Sequence, residues 1–164
     1  MSVCVFAGTF DPITKGHVAI IKKLLKQYKK VIVVVGENSK KAPLFSAEQR
    51  VNSIKACFYG NKKIQVINYA DKKDCYVQFL QEQNAKFYAR GIRNDVDLEY
   101  EKKAELVNKE LYPWLKTIYL KAKGFYKEVS SSLVREKMLS GKDYKKYLPK
   151  KAYNLIKGYL KEKF

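Results

Sequence analysis

Short β-branched runs alternate along this chain with longer stretches in which apolar residues return every three or four positions. Val3 to Ala7 is a short apolar run, and Gly8 to Pro12 reads as a turn. Val18, Ile21, Leu24, Leu25 and Tyr28 recur at helical spacing with lysines on the other face, the pattern of an amphipathic helix. Val31 to Val35 is an unbroken β-branched run, as in a parallel strand covered on both faces. Ile64 to Ile67, Phe87 to Ala89 and Thr117 to Leu120 predict three further strands. Ser46 and Gln49 form an S-x-x-Q capping box that opens a helix towards Cys57. Further helices are predicted near Tyr76 to Gln83, Asp97 to Leu111 and Ser130 to Leu139, and after Pro149. In the last of these Tyr153, Ile156 and Leu160 share one face.

Strand and helix alternation predicts an α/β fold with right-handed crossovers. The expectation is a Rossmann-like single domain over residues 1–164, its five-stranded parallel sheet covered by helices on both faces. Ligands of such sheets bind beyond the carboxyl ends of the strands. Four segments occupy that position: Gly8 to His17, Gly36 to Phe45, Arg90 to Asp95, and Gly124 to Ser132.

Composition narrows the function classes. The 164 residues hold three scattered cysteines and one histidine, His17. No zinc spacing is present, and the cysteines read as reduced thiols of a cytoplasmic protein. The apolar runs are too short to span a bilayer, and the start of the chain lacks the pattern of a signal peptide. The formal net charge is +18, which admits a nucleic-acid partner. The excess, however, is scattered lysine, and arginine occurs only at Arg50, Arg90, Arg93 and Arg135. A solvated lysine surface is therefore favoured over a specific nucleic-acid face.

The first loop, Gly8-Thr9-Phe10-Asp11-Pro12-Ile13-Thr14-Lys15-Gly16-His17, is a glycine turn leading into a helix start that carries the histidine. Free N–H groups at a helix start attract phosphate. Neither G-x-G-x-x-G nor the P-loop pattern occurs. Thr14-Lys15-Gly16-His17 resembles the T-x-G-H signature of the nucleotidylyltransferase superfamily, and the preceding Gly8 to Pro12 resembles its phosphopantetheine adenylyltransferase branch. Three later segments match that family in order: Lys40-Lys41-Ala42-Pro43-Leu44-Phe45; Arg90-Gly91-Ile92-Arg93 with Asp97-Leu98-Glu99-Tyr100-Glu101; and Val129-Ser130-Ser131-Ser132-Leu133-Val134-Arg135.

The resemblance implies transfer of AMP from ATP to 4′-phosphopantetheine, with Mg²⁺ carried by the nucleotide, no dedicated metal cage and a homo-hexamer. It implies that His17 donates to the ATP phosphates, and that Thr9 and the Phe10 backbone position the attacking phosphate. Lys41 and Arg90 would bind the phosphopantetheine phosphate, with Lys40 the alternative because Ala42 separates the lysines from Pro43. Gly91, Ile92, Arg93 and Glu101 would meet the nucleotide, and Tyr76 the pantetheine arm. Tyr126, Lys127, Glu128 and Val129 would wrap ATP together with Ser130, Ser131 and Ser132. The alternatives are a sibling adenylyl- or cytidylyltransferase and, in a different class, a basic nucleic-acid-binding module.

Overall fold

The computed structural model describes residues 2–37, 42–70, 72, 76–121 and 123–164. Five strands form one sheet: β1 (Val3–Gly8), β2 (Lys30–Val35), β3 (Ile64–Asn68), β4 (Phe87–Ile92) and β5 (Lys116–Lys121). All pairings are parallel and the order is β3-β2-β1-β4-β5. Six α-helices connect and cover them: α1 (Lys15–Gln27), α2 (Ala47–Cys57), α3 (Tyr76–Glu82), α4 (Asp95–Leu111), α5 (Ser131–Leu139) and α6 (Lys150–Lys163).

The two-residue period of the strands sorts the core into two layers. Cys4, Phe6, Val31, Val33, Val35 and Ala89 face Ile21 and Leu24 of α1, Ile54 of α2, Val134 of α5 and Ile156 of α6. Val5, Ile32, Val34 and Tyr88 face Val77, Phe79 and Leu80 of α3. The continuous run in β2 is thus buried on both sides, as its composition predicts.

Most elements lie where the pattern places them, and three differences have local causes. Strand β4 runs on through Arg90, Gly91 and Ile92 because these pair with Tyr119, Leu120 and Lys121 of β5. Helix α4 starts at Asp95 because the Asn94 side chain accepts the Asp97 N–H and caps it. Two short 3₁₀ turns, Gly124–Glu128 and Lys145–Tyr147, have no apolar period to announce them.

The sheet opens at its carboxyl edge. Pairing of β1 with β4 ends at Phe6↔Ala89. Beyond that point β1 continues with β2 through Gly8↔Val35, and β4 continues with β5 through Ile92↔Lys121. The strands therefore fork where the strand order reverses, the position at which ligands enter open α/β sheets.

One buried side chain ties the loops above that fork. Arg50, 1% exposed, lies in the first turns of α2. Its Nη1 donates to the carbonyls of Thr9 and Gly36, both at 2.9 Å, and its Nε to the carbonyl of Phe45 at 3.0 Å. The Glu37 carboxylate stands 3.5 Å from Nη2. Replacement by methionine fills the volume but strands those carbonyls. Arg50→Met is expected to cost about 3–5 kcal/mol in urea unfolding, the scale for removing one side of a buried charged network. Arg93→Met, at a side chain 59% exposed, is expected to change stability by less than about 0.5 kcal/mol. Equal stabilities for the two variants would contradict this role for Arg50.

Candidate active site

A cavity of about 650 Å³ lies above the fork, within the range of small-molecule sites. All four carboxyl-edge segments contribute to it. Thr9, Asp11, Thr14, Gly16 and His17 come from the first; Ala42 and Pro43 from the second; Gly91, Ile92 and Arg93 from the third; Val129 to Ser132 from the fourth. Ile20 and Arg135 complete the wall.

Two helix N-termini meet here. Thr14 caps α1 and Ser130 caps α5. Neither helix carries an acidic residue in its first turn, so no carboxylate of their own competes for the free N–H groups. Ser131 Oγ donates to the Pro12 carbonyl at 2.8 Å and locks the start of α5 onto the first loop. Phe10 adopts a left-handed φ of 50°, costly for an aromatic residue. Its ring is buried edge-on against Phe6 and His17, which holds the backbone in that turn.

His17 is the third residue of α1. The Thr14 backbone N–H donates to its Nδ1 at 3.0 Å, and Thr14 Oγ1 lies 3.1 Å from the same nitrogen. A backbone N–H can only donate, so Nδ1 is the acceptor and Nε2 carries the proton of the neutral ring. Burial lowers the His17 pKa from 6.5 to about 4. The unliganded site thus holds a neutral imidazole with one N–H donor.

The cytidylyltransferase-like family matches residues 5–137 of this chain. The phosphopantetheine adenylyltransferase of Wigglesworthia glossinidia brevipalpis is 36% identical over 159 residues, covering 97% of this chain and 93% of that protein. That of Thermotoga neapolitana is 36% identical over 160 residues, 98% of each. That of Carboxydothermus hydrogenoformans is 35% identical over 164 residues, 100% of this chain and 97% of that protein. The chain belongs to the phosphopantetheine adenylyltransferase family.

Among the described residues, those singled out by the family resemblance divide among four places. Thr9, His17, Gly91, Ile92, Arg93, Val129, Ser130, Ser131 and Ser132 line the large cavity. Arg90 and Glu101 line a second cavity of about 200 Å³, together with Tyr88, Tyr100 and Thr117. Tyr76 is packed against the rings of Tyr69, Phe79 and Tyr88 on the α3 side of the sheet, where burial raises its pKa. Tyr126, Lys127 and Glu128 form the exposed 3₁₀ turn beside the cavity. The Tyr126 and Val129 carbonyls lie under 4 Å from where a Cβ on Gly16 would stand. Lys40 and Lys41 lie outside the described residues.

Three residues that the motifs did not assign prove to organise the site. Asp11 is 3% exposed and accepts the Leu44 and Phe45 N–H groups at 2.8 and 2.9 Å. Arg135 Nη1 donates to the Asp11 carbonyl at 2.7 Å. Arg50 supplies the third tie. Cys4 and Cys57 are buried free thiols, and burial pushes both pKa values up to about 12. Such thiols are inert as nucleophiles.

The single histidine makes its ionisation directly readable. Two-dimensional ¹H–¹⁵N spectra of the unliganded protein are expected to show the Nε2–H tautomer above pH 6, with a midpoint near 4. An Nδ1–H tautomer, or a midpoint above 6, would overturn the assignment.

Proposed function

We propose that the chain transfers the adenylyl group from ATP to 4′-phosphopantetheine by direct in-line displacement, giving dephospho-coenzyme A and pyrophosphate. The observation that carries this is the convergence of two acid-free helix N-termini and the His17 N–H on one cavity at the fork. The names of the relatives point the same way and do not favour a sibling transferase or a nucleic-acid module.

The chemistry needs donors rather than a base. A phosphomonoester has a second pKa near 6, so the attacking oxygen is already ionised at pH 7. The site must align two anions and meet charge as it moves to the leaving pyrophosphate. His17 donates from Nε2–H to the ATP phosphates, while Nδ1 remains the acceptor of the Thr14 N–H. Thr9 and the Phe10 N–H hold the acceptor phosphate, which Lys41 and Arg90 also engage. Gly91, Ile92, Arg93 and the Val129 to Ser132 segment hold the nucleotide. Among the described residues the Arg93 side chain is held by an exposed ion pair with Asp97, 3.4 Å away, and such a pair is readily surrendered to a ligand.

Magnesium is implied with ATP. Both oxygens of the cavity's Asp11 carboxylate already accept backbone N–H groups. Among the described residues no group of three His, Cys, Asp or Glu side chains could hold an ion. Magnesium entering with ATP would supply positive charge to its phosphates.

The direct test supplies ATP, Mg²⁺ and 4′-phosphopantetheine and measures pyrophosphate and dephospho-coenzyme A. Product is expected from the wild type, and its absence would refute the proposed reaction. His17→Ala is expected to lower kcat by about 10²–10³, the cost of one lost transition-state donor, with little change in either KM. Turnover within about tenfold of wild type overturns the role of His17.

The homo-hexamer of the family is proposed for this chain as well. Helix α4 buries none of its residues. It exposes Val96, Tyr100, Val107 and Leu111, and Trp114 follows at 76% exposure. Apolar groups in such a row favour burial against another copy. Sedimentation of the wild type is expected to give a multiple of 19.1 kDa, and the Val107→Glu/Leu111→Glu double variant a smaller species. A wild-type mass of 19.1 kDa would contradict assembly.

A further inference from the structure

The Gly124–Glu128 turn stands beside the large cavity with little to hold it. All five of its residues are exposed, and no side chain caps its start. Its backbone bonds are local. Tyr126 N–H donates to the Lys123 carbonyl at 3.3 Å, and Val129 N–H donates to the Tyr126 carbonyl at 3.2 Å. Among the described residues no hydrogen bond or ion pair links a side chain of the turn to another element. A short exposed segment with so few ties opens at little cost. The Tyr126 carbonyl nevertheless lies close to the start of α1, 3.8 Å from where a Cβ on Gly16 would stand.

One aromatic side chain ties the turn to the rest of the fold. The Phe125 ring, on a residue 54% exposed, stacks on Tyr147 with centroids 6.2 Å apart and planes 8° from parallel. Near-parallel rings at that separation are offset, one of the preferred arrangements of an aromatic pair. Tyr147 is itself anchored. It is half-buried against the core layer that α1 and α6 cover, and Leu148 after it is 1% exposed. The ammonium groups of Lys146 and Lys137 stand 5.1 and 5.6 Å from its ring centroid, within cation–π range. Lys137 belongs to α5, whose first turn carries Ser131 and Ser132. The stack therefore joins the turn both to the approach to α6 and to the helix that presents the cavity serines.

We infer that Phe125 and Tyr147 are positioning residues for the nucleotide side of the site, their stack holding the Gly124–Glu128 turn against the start of α1. The inference rests on the proposed reaction, in which residues 126–129 wrap ATP. The effect of the two rings passes through the backbone of the turn. Without the stack the turn samples more conformations, and ATP must bear the cost of ordering it. The acceptor side is held separately, by Arg50 on the Thr9 carbonyl and by Asp11 on the loop after β2.

Steady-state kinetics with each substrate varied in turn test this. Phe125→Leu keeps an apolar side chain and removes the ring. It is expected to raise KM for ATP about fivefold, within the range of one aromatic pair, with kcat and KM for 4′-phosphopantetheine changed by less than about twofold. Its midpoint of urea unfolding should match that of the wild type, because the lost ring is largely exposed. Phe125→Tyr keeps the ring and should keep the wild-type KM for ATP. In a Tyr147→Leu background, where no stack forms, Phe125→Leu should add less than about twofold, because the two rings act as one unit. Tyr147→Met supplies that background if the leucine variant does not fold. Wild type that makes no product refutes the proposed reaction itself. With active wild type, three results overturn the inference alone: an unchanged KM for ATP in Phe125→Leu, an equal rise for both substrates, or a full effect in the background that lacks the Tyr147 ring.

Discussion

The carboxyl edge of this sheet depends on one buried guanidinium. Arg50 gathers the carbonyls of Thr9, Gly36 and Phe45, and thereby fixes the loop after β1 against both ends of the loop after β2. Taking such a charge out of water costs several kcal/mol, which only good geometry and full hydrogen bonding offset. Asp11 provides the complementary tie. Phe45 gives its carbonyl to Arg50 and its N–H to Asp11. Cation and carboxylate thus clamp the same backbone from opposite polar ends. Arg135 then braces the Asp11 carbonyl from α5.

With those loops held, the fork becomes a site. β1 and β4 part after Phe6↔Ala89, and α1 and α5 present their N-termini above the gap. The donors are backbone N–H groups, hydroxyls, guanidinium groups and one imidazole N–H. They are placed before substrate arrives, so no reorganisation is needed as charge moves. Thr14 is central to this. Its backbone N–H holds His17 Nδ1, and that bond decides which nitrogen of the ring can donate.

Much of this was legible in the chain. The β-branched run of β2, the capping box of α2 and the order of the four loop segments predict the sheet and its ligand edge. Residues 90–92 read poorly as strand because an arginine and a glycine break the apolar pattern, and it is their pairing with β5 that makes them one. The roles of Asp11, Arg50 and Arg135 depend on contacts between loops far apart in sequence, which no local period reports. One signal did point to them. In a chain with 34 lysines and arginines only four are arginine. Arg50 and Arg135 brace the loops, Arg90 stands at the fork and Arg93 lines the cavity, so all four serve the carboxyl edge. Where a planar fork of donors is required, lysine does not substitute. The partnership of Arg90 and Glu101 was hidden for a different reason. Both lie in one motif, but the strand and helix that carry them place their side chains in the smaller cavity.

The central claim is that the protein supplies position and charge, and no nucleophile of its own. The stereochemical course at the α-phosphorus tests it most directly. With the Sp isomer of ATP bearing sulfur on the α-phosphorus and an oxygen isotope beside it, one in-line displacement inverts the configuration in the dephospho-coenzyme A product. Inversion is the result expected here. Retention would require two displacements through a covalent adenylyl-enzyme, and would contradict a site built from donors alone.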